Sequence, residues 1–272
     1  MAELLRASAL DTGFEKHTVS HALELSLQQG ELVALIGPNG CGKTTLLRTL
    51  AGLLPPRKGE VRVGGKPIGS LRARELAQTV AYLPQSRPVP DIPVEMLVAH
   101  GRFPYLGFSR RPSPRDREIT ENAMKAAGVW ELRGRRLAEM SGGQRQQAYL
   151  AMTMAQDTPV VLLDEPSTYL DIANRFAVME TARELSAGGV CVVMTLHDLG
   201  DAMHFSRRVC LMDRSGSICF DGSPAELYRS GQLDRVFGVQ TERVCTARGR
   251  EAFFFFPPDE AENQAKKGRE QA

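Results

Sequence analysis

One glycine-rich segment of the sequence has the residue types and spacing of a phosphate-binding loop. Its pattern is a glycine, four further residues and then Gly-Lys-Thr. Glycines allow successive backbone N–H groups to converge on phosphate oxygens, and the helix expected to begin near Lys43 adds the positive end of its dipole. We predict that Lys43 reaches the β- and γ-phosphates of a nucleotide and that the Thr44 hydroxyl binds Mg²⁺. The candidate binding residues of this loop are Gly37, Pro38, Asn39, Gly40, Cys41, Gly42, Lys43, Thr44 and Thr45.

A pair of acidic residues follows an apolar run further along the chain. Asp164 and Glu165 come directly after residues 160–163, which read Val-Val-Leu-Leu. Both should therefore lie at the tip of a buried strand, where neighbouring side chains point in different directions. We predict that Asp164 holds Mg²⁺ through water and that Glu165 orients and deprotonates the attacking water.

Three predicted strands must position these residues. The runs 31–36, 160–163 and 190–196 are short and apolar, and each is followed by a glycine-rich turn or by polar residues. Strands that are apolar on both faces and separated by helical segments predict a parallel sheet covered by helices on both sides. Ligands bind such sheets at the carboxyl ends of the strands. The predicted fold class is therefore α/β.

Three other segments predict additions to this sheet. Residues 60–63 and 79–83 have the character of short strands in a small flanking sheet. Residues from about 88 to 157 contain no convincing strand, and prolines lie close together where this stretch begins, which favours an inserted helical subdomain.

The C-terminal part of the sequence indicates an extension. We predict a nucleotide-binding domain over 1–240 and a C-terminal extension over 241–272. Residues 253–256 are four phenylalanines and are interpreted as a last strand that packs on the core. From residue 257 onward the sequence is polar and mixed in charge, so we expect disorder there.

The composition excludes several classes of function. The chain has 272 residues, 42% of them hydrophobic, which is enough for a buried core. Its 34 basic and 32 acidic side chains lack the basic excess typical of proteins that bind nucleic acid. The five cysteines form no close pair and no metal-binding spacing, and no segment approaches the roughly 18 apolar residues of a membrane span. We expect a soluble cytoplasmic protein that meets a membrane only through partners.

A further motif carries a resemblance to a known family. Residues 140–144 read Met-Ser-Gly-Gly-Gln and match the Leu-Ser-Gly-Gly-Gln signature of ABC transporters, with one apolar residue in place of another. A phosphate loop, this signature, an Asp-Glu pair and a histidine follow in this order, so residues 4–240 resemble a nucleotide-binding subunit of that family. The resemblance implies a P-loop NTPase fold with an ABC ATPase core, an antiparallel β subdomain and an inserted helical subdomain. It also implies ATP hydrolysis, with ATP and Mg²⁺ as cofactors.

The resemblance implies roles for three residues outside the loop. Gln85 matches the glutamine that links the nucleotide site to the helical subdomain, so it is a candidate catalytic residue and metal ligand. His197 matches the histidine that contacts the γ-phosphate. Phe14 occupies the position of a tyrosine on which adenine stacks, and phenylalanine keeps the ring face that stacking needs. Alternatively, Phe14 covers the edge of the small sheet.

The resemblance also implies a second copy of the chain. Ser141, Gly142, Gly143 and Gln144 begin a predicted helix, which is a second anion-binding helix start. In the family two subunits pack head to tail, so that each signature closes on the other subunit's ATP, and Asp171 matches the aspartate of the loop that crosses between them. The implied partners are a second copy, transmembrane permease subunits and, through the permease, a substrate-binding protein. The implied location is the cytoplasmic face of the inner membrane.

Two segments indicate what is transported. Residues 94–105 and 169–172 resemble the ATPases of iron-chelate importers, so we expect uptake of a ferric siderophore or a similar iron chelate. Import of haem or cobalamin is an alternative. A non-transport ABC ATPase acting on ribosomes or DNA is another, which the single cassette without sustained heptads disfavours. The complete set Lys43, Asp164, Glu165 and His197 disfavours a sensor without turnover.

The sequence leaves two outcomes open for Cys41. Cys41 lies near Lys43 and a helix start, which would lower its pKa and make it reactive. Alternatively, its small side chain turns into the fold.

The resemblance also implies a surface on which the permease docks, for which residues 88–102 are the candidates. Val89 and Ile92 in this stretch are expected to be free for a partner. Leu97 and Val98 are expected in the core.

Overall fold

The computed structural model describes residues 2–14, 17–107, 111–168, 170–247, 249 and 251–258. Tyr169 and the tail from residue 259 onward, where disorder was predicted, lie outside these ranges. The strands are β1 (Glu3–Phe14), β2 (His17–Gln28), β3 (Leu32–Ile36), β4 (Lys58–Val63), β5 (Lys66–Pro67), β6 (Val80–Leu83), β7 (Val160–Leu163), β8 (Cys191–Thr195), β9 (Arg208–Met212), β10 (Ile218–Gly222), β11 (Gln240–Cys245) and β12 (Glu251–Phe256). The helices are α1 (Lys43–Leu50), α2 (Ala73–Ala77), α3 (Val94–Ala99), α4 (Pro114–Ala126), α5 (Gly142–Ala155), α6 (Ile172–Ala187), α7 (Leu199–Phe205), α8 (Pro224–Ser230) and α9 (Gln232–Phe237).

The main sheet has the strand order β10-β9-β3-β8-β7-β6. All neighbours are parallel except the edge strand β10, which runs antiparallel to β9. The predicted strands at 31–36, 160–163 and 190–196 correspond to β3, β7 and β8, so the α/β prediction is confirmed. The carboxyl ends of these three strands lie at one edge of the sheet.

The strand before the phosphate loop is buried on both faces. Leu32, Ala34 and Ile36 belong to one apolar core, while Val33 and Leu35 belong to the other. The first core is formed with α3 to α9, and the second with α1 and the smaller sheet. Burial on both faces explains why β3 is apolar throughout and does not alternate with polar residues.

A smaller antiparallel sheet has the order β2-β1-β4-β5 and packs on α1. The predicted strand at 60–63 corresponds to β4 and belongs to this sheet. The prediction for 79–83 is wrong, because β6 pairs in parallel with β7 at the edge of the main sheet. Val80, Ala81 and Leu83 are buried there. The partner strand lies about eighty residues further along the chain, so local pattern could not identify it.

Helices α3, α4 and α5 lie between β6 and β7 in sequence and pack on one another. A buried ion pair joins them, with Arg102 Nε 2.9 Å from Asp116 Oδ1. The same guanidinium donates a hydrogen bond to the carbonyl of Ala155, at 2.9 Å. The end of α5 is therefore tied to the segments before it.

Near the C-terminus, β11 and β12 form an antiparallel hairpin. Phe253 and Phe255 pack against the first core, as expected of a last strand, whereas Phe254 and Phe256 are exposed. Across the ranges described above, no helix is long and apolar enough to cross a membrane.

The contact of Gly101 with α5 generates a stability prediction. A Cβ at Gly101 would lie 2.3 Å from the carbonyl oxygen of Met152, which is backbone and cannot swing away. We expect Gly101→Ala to lower the free energy of unfolding by about 1–3 kcal/mol through overpacking. Gly134→Ala is the matched control, since a Cβ there meets nothing within 4 Å. Urea unfolding followed by circular dichroism measures both, and equal midpoints for the two variants would contradict the assigned packing.

Candidate functional site

The phosphate loop connects β3 to α1, as predicted. Gly42 occupies the N-cap position of α1, and Lys43 is the first helical residue. The Lys43 ammonium donates hydrogen bonds to the carbonyls of Gly37, at 2.7 Å, and Pro38, at 3.0 Å. The lysine side chain is thus folded back over its own loop, where the β3 strand ends.

Asp164 is buried at the end of β7 and accepts hydrogen bonds from three hydroxyl groups. Its Oδ1 accepts from Thr44 at 3.0 Å and from Thr195 at 2.9 Å. Its Oδ2 accepts from the phenol of Tyr82 at 3.0 Å. Burial raises the pKa of Tyr82 to about 12, so this phenol stays a proton donor at neutral pH. The predicted magnesium residues Thr44 and Asp164 are therefore in direct contact.

The donor set at this edge suits Mg²⁺. A threonine hydroxyl and a carboxylate oxygen are hard ligands, and Mg²⁺ is held in nucleotide sites by one or two such groups together with phosphates and water. Within the described ranges, no group of three or more His, Cys, Asp or Glu side chains forms a protein cage for a metal. The residues fit an ion that arrives with its nucleotide.

Glu165 has a constrained backbone and a crowded carboxylate. Its φ of 50° lies in the left-handed region, which is strained for a residue with a Cβ, and its N–H donates a hydrogen bond to Thr195 Oγ1 at 2.7 Å. Oε1 lies 2.5 Å from His197 Nε2. Oε2 accepts from the Gln85 side-chain amide and from Thr168 Oγ1. Two sequence-predicted residues, Gln85 and His197, thus converge on the carboxylate of a third, Glu165.

A cleft of about 260 Å³ lies in front of the loop. Phe14 lines it and is 51% exposed, so its ring is accessible from the cleft. The lining residues are Phe14, Val19, Asn39, Gly40, Gly42, Lys43, Thr44, Thr45, Glu165 and His197.

The signature residues and Asp171 do not line this cleft. Ser141 caps α5, where its hydroxyl accepts from the Gln144 N–H at 3.2 Å and the Gln144 side chain accepts from the Ser141 N–H at 3.1 Å. Asp171 caps α6 and accepts two hydrogen bonds from Asn174. The two helix starts lie close together at Gly143 of α5 and Asn174 of α6. A Cβ at position 143 would lie 2.6 Å from the Asn174 side-chain nitrogen.

Cys41 follows the second of its two expected outcomes. The thiol is 2% exposed, and burial raises its pKa, outweighing the opposing effect of the Lys43 charge. The lowered pKa considered from sequence is therefore wrong. The side chain turns into the second core, and its sulfur lies 3.9 Å from Lys43 Nζ.

Sequence reasoning missed three hydroxyl residues that organise the acidic pair. Thr195 ends β8 and contacts both Asp164 and the Glu165 backbone, while Tyr82 and Thr168 each contact one carboxylate. The sequence contained a signal for Thr195, which is the polar residue near the end of the apolar run 190–196.

Comparison with a family profile decides the family. The profile described as ABC transporter matches residues 20–168, which include the phosphate loop, Gln85, the signature and the acidic pair. This chain belongs to the ABC transporter family. His197 lies beyond the matched stretch, and its place in the site rests on its contact with Glu165.

Individual ABC transporter proteins of known name match most of the chain. The ferric enterobactin transport ATP-binding protein of Escherichia coli (strain K12) is 38% identical over 238 residues, covering 87% of this chain and 88% of that protein. The iron(3+)-hydroxamate import ATP-binding protein of Bacillus subtilis (strain 168) is 34% identical, covering 90% and 91%. The hemin import ATP-binding protein of Streptomyces coelicolor is 38% identical, covering 88% and 85%.

A solved structure supports the fold. A metal-chelate type ABC transporter in an inward-facing conformation superposes with a TM-score of 0.81 at 23% identity, covering 96% of this chain and all of that one (100%). The ABC ATPase architecture predicted from the sequence is confirmed.

The burial of Cys41 predicts its chemical behaviour. Because the thiolate is the reactive form, a buried thiol with a raised pKa should be alkylated slowly at neutral pH, roughly tenfold or more slower than the exposed Cys245. Mass spectrometry after timed exposure to iodoacetamide measures both sites. Cys245→Ser should remove the fast reaction, and Cys41→Ser should leave it intact. Fast labelling of Cys41 would contradict the buried placement.

Proposed function

We propose that this protein is the ATP-binding and ATP-hydrolysing subunit of an importer for ferric siderophores or similar iron chelates. The observation that carries the hydrolytic part is the convergence of Gln85 and His197 on the Glu165 carboxylate, at the mouth of the phosphate-loop cleft. Family membership and the importer names of the relatives support the transport part.

The nucleotide is bound by the loop and by Phe14. Backbone N–H groups of residues 39–44 and the start of α1 bind phosphate oxygens, and the Lys43 ammonium exchanges loop carbonyls for the β- and γ-phosphates. The adenine stacks on the exposed face of Phe14. Mg²⁺, when bound, neutralises charge developing on the phosphates. Thr44 would hold it directly, Asp164 would hold it through water, and Gln85 is the third proposed ligand.

Hydrolysis then depends on Glu165. Its carboxylate accepts a proton from the attacking water. Two hydrogen-bond donors and the neighbouring His197 imidazole fix its position, so little reorganisation is needed. His197, adjacent to it, contacts the γ-phosphate. Gln85 belongs to the segment that leads into α3. Loss of the γ-phosphate would therefore move Gln85 and, with it, the start of the helical subdomain.

A second copy of the chain completes each site in this proposal. Ser141 to Gln144 begin α5, a helix of fourteen residues whose N-terminal dipole attracts phosphate. These residues lie outside the chain's own cleft, which supports the head-to-tail arrangement in which they contact the other subunit's ATP. Asp171, at the start of α6, lies in the loop that crosses between the subunits.

The transported substrate is assigned as a class. The relatives compared above are named for ferric enterobactin, iron(3+)-hydroxamate and hemin, so an iron chelate is common to them. Haem and cobalamin remain alternatives within import. The subunit acts at the cytoplasmic face of the membrane through permease subunits, and a substrate-binding protein delivers the chelate to the permease.

Permease docking is assigned to the exposed side of α3 and the loop before it. Val89 is 47% exposed, as expected, and Met96 is 53% exposed. Leu97 and Val98 are buried, which confirms their place in the core. The expectation for Ile92 is wrong, because its side chain packs on the first core and its carbonyl accepts from the Leu137 N–H at 3.1 Å.

The proposed general base gives the central test. We expect Glu165→Gln to keep ATP binding and to lower kcat by on the order of 10²–10⁴, because the amide keeps the size of the carboxylate but cannot accept the proton. Steady-state phosphate release and nucleotide binding measure the two effects, and the variant should accumulate as an ATP-bound dimer. Glu242→Gln, at an exposed glutamate of β11, is the control. ATPase activity equal to wild type in Glu165→Gln would remove Glu165 from the mechanism.

The docking assignment is tested at Met96. We expect Met96→Asp to reduce permease assembly and uptake of radiolabelled ferric siderophore by cells, since it places a charge on an apolar contact, while ATP binding by the isolated subunit stays normal. Leu53→Asp is the matched control, because Leu53 is a comparably exposed apolar residue, 60% exposed, outside the docking stretch. Normal uptake with Met96→Asp would refute the assignment.

A further inference from the structure

Three charged residues connect the start of α6 to the start of α7. Arg175 Nη1 lies 2.8 Å from Asp198 Oδ2, and Arg175 Nε lies 3.2 Å from Asp201 Oδ2. The first contact is a hydrogen-bonded ion pair. The second is an ion pair only, since neither Arg175 Nε nor Asp201 Oδ2 has a hydrogen-bond partner among the residues that the structure describes.

The two carboxylates of this cluster depend on the one guanidinium. The Asp201 side chain is only 5% exposed, and burial, followed by the charge of nearby Asp198, raises its pKa. Arg175 opposes both effects, with a smaller contribution from His204 on the outer side of α7. Removing Arg175 would leave a buried carboxylate next to a second carboxylate without a cation between them, which is destabilising. It would also free the Asp198 side chain from its contact with α6.

The cluster acts on the residue next to the proposed catalytic histidine. Asp198 follows His197 directly and caps α7, where its Oδ1 accepts from the Asp201 N–H at 3.1 Å. Its other oxygen is the one that Arg175 holds. The backbone on the C-terminal side of His197 is therefore fixed at two points, by a cap to α7 and by an ion pair to α6.

We infer that Arg175 is a positioning residue for hydrolysis: it holds Asp198 and so keeps the His197 imidazole against Glu165. The inference rests on the proposed function, and it assigns Arg175 no contact with ATP. Small displacements of groups around a reacting centre are costly, and a misplacement of about 1 Å can reduce a rate 10²-fold. Phe14 and the phosphate loop, which bind most of the nucleotide in the proposal, do not contact the cluster through any of the bonds described, so nucleotide affinity should change much less than kcat.

The experiment compares Arg175→Gln with wild type in MgATP hydrolysis by the full-length subunit. We expect kcat to fall about tenfold and KM for ATP to stay within about twofold. Arg175→Lys, which keeps a cation near both carboxylates, should recover most of the loss. Arg183→Gln is the matched control and should behave as wild type. Arg183 lies two turns further along α6 and, in the described part of the chain, forms an ion pair with exposed Glu180 alone. An unchanged kcat in Arg175→Gln, or a parallel rise in KM, would overturn the inference.

Two double variants test the route of the effect. Asp198→Asn keeps the helix cap but loses the ion pair, so adding it to Arg175→Gln should cost no more than the worse single change. In a His197→Ala background, followed by single-turnover hydrolysis with subunit in excess, Arg175→Gln should cause no further loss. If the fold-losses in rate of the two single variants multiply in either double variant, the inference is overturned. Absence of hydrolysis in wild type would instead refute the proposed function, so the two failures are distinguishable.

Discussion

The candidate active site is organised around the buried carboxylate of Asp164. Its partners are hydroxyl groups from the ends of β6 and β8 and from the start of α1, so it joins four elements at the carboxyl edge of the sheet. A buried carboxylate requires such donors, since an unpaired one would cost several kcal/mol. The same requirement fixes Thr195, and Thr195 in turn fixes the strained backbone of Glu165. One set of bonds therefore positions both Asp164, the proposed magnesium residue, and Glu165, the proposed general base.

Sequence alone predicted the parts of this arrangement that local pattern encodes. Strands β3, β7 and β8 are continuous apolar runs with polar ends, because they are buried on both faces. The phosphate loop and the acidic pair were identified because they directly follow two of these runs. Strands β1 and β2 were not predicted. They contain bulges and the left-handed residues Ala9 and Ala22, which interrupt the alternation that identifies a half-buried strand.

The remaining differences come from contacts between distant segments. The sequence prediction placed the strand of Tyr82 in the smaller sheet, whereas this strand pairs with β7 in the main sheet. The hydrogen bond from Tyr82 to Asp164 was therefore not predicted. For Cys41, proximity to Lys43 in sequence suggested a reactive thiol, but desolvation by the second core has the larger effect. Ile92 lies in a proline-rich loop that is covered by the segment around Leu137. In each case the deciding neighbour is remote in sequence.

The close approach of Gly143 to Asn174 has a consequence for how this sequence can diverge. A side chain at position 143 would collide with the amide that bonds to Asp171, so the Asn174 side chain would have to turn away and lose that hydrogen bond. A larger residue at 143 therefore disrupts the contact between Asn174 and Asp171 unless position 174 changes at the same time. The two positions should therefore be inherited as a pair, although thirty residues separate them and neither contacts the chain's own nucleotide cleft.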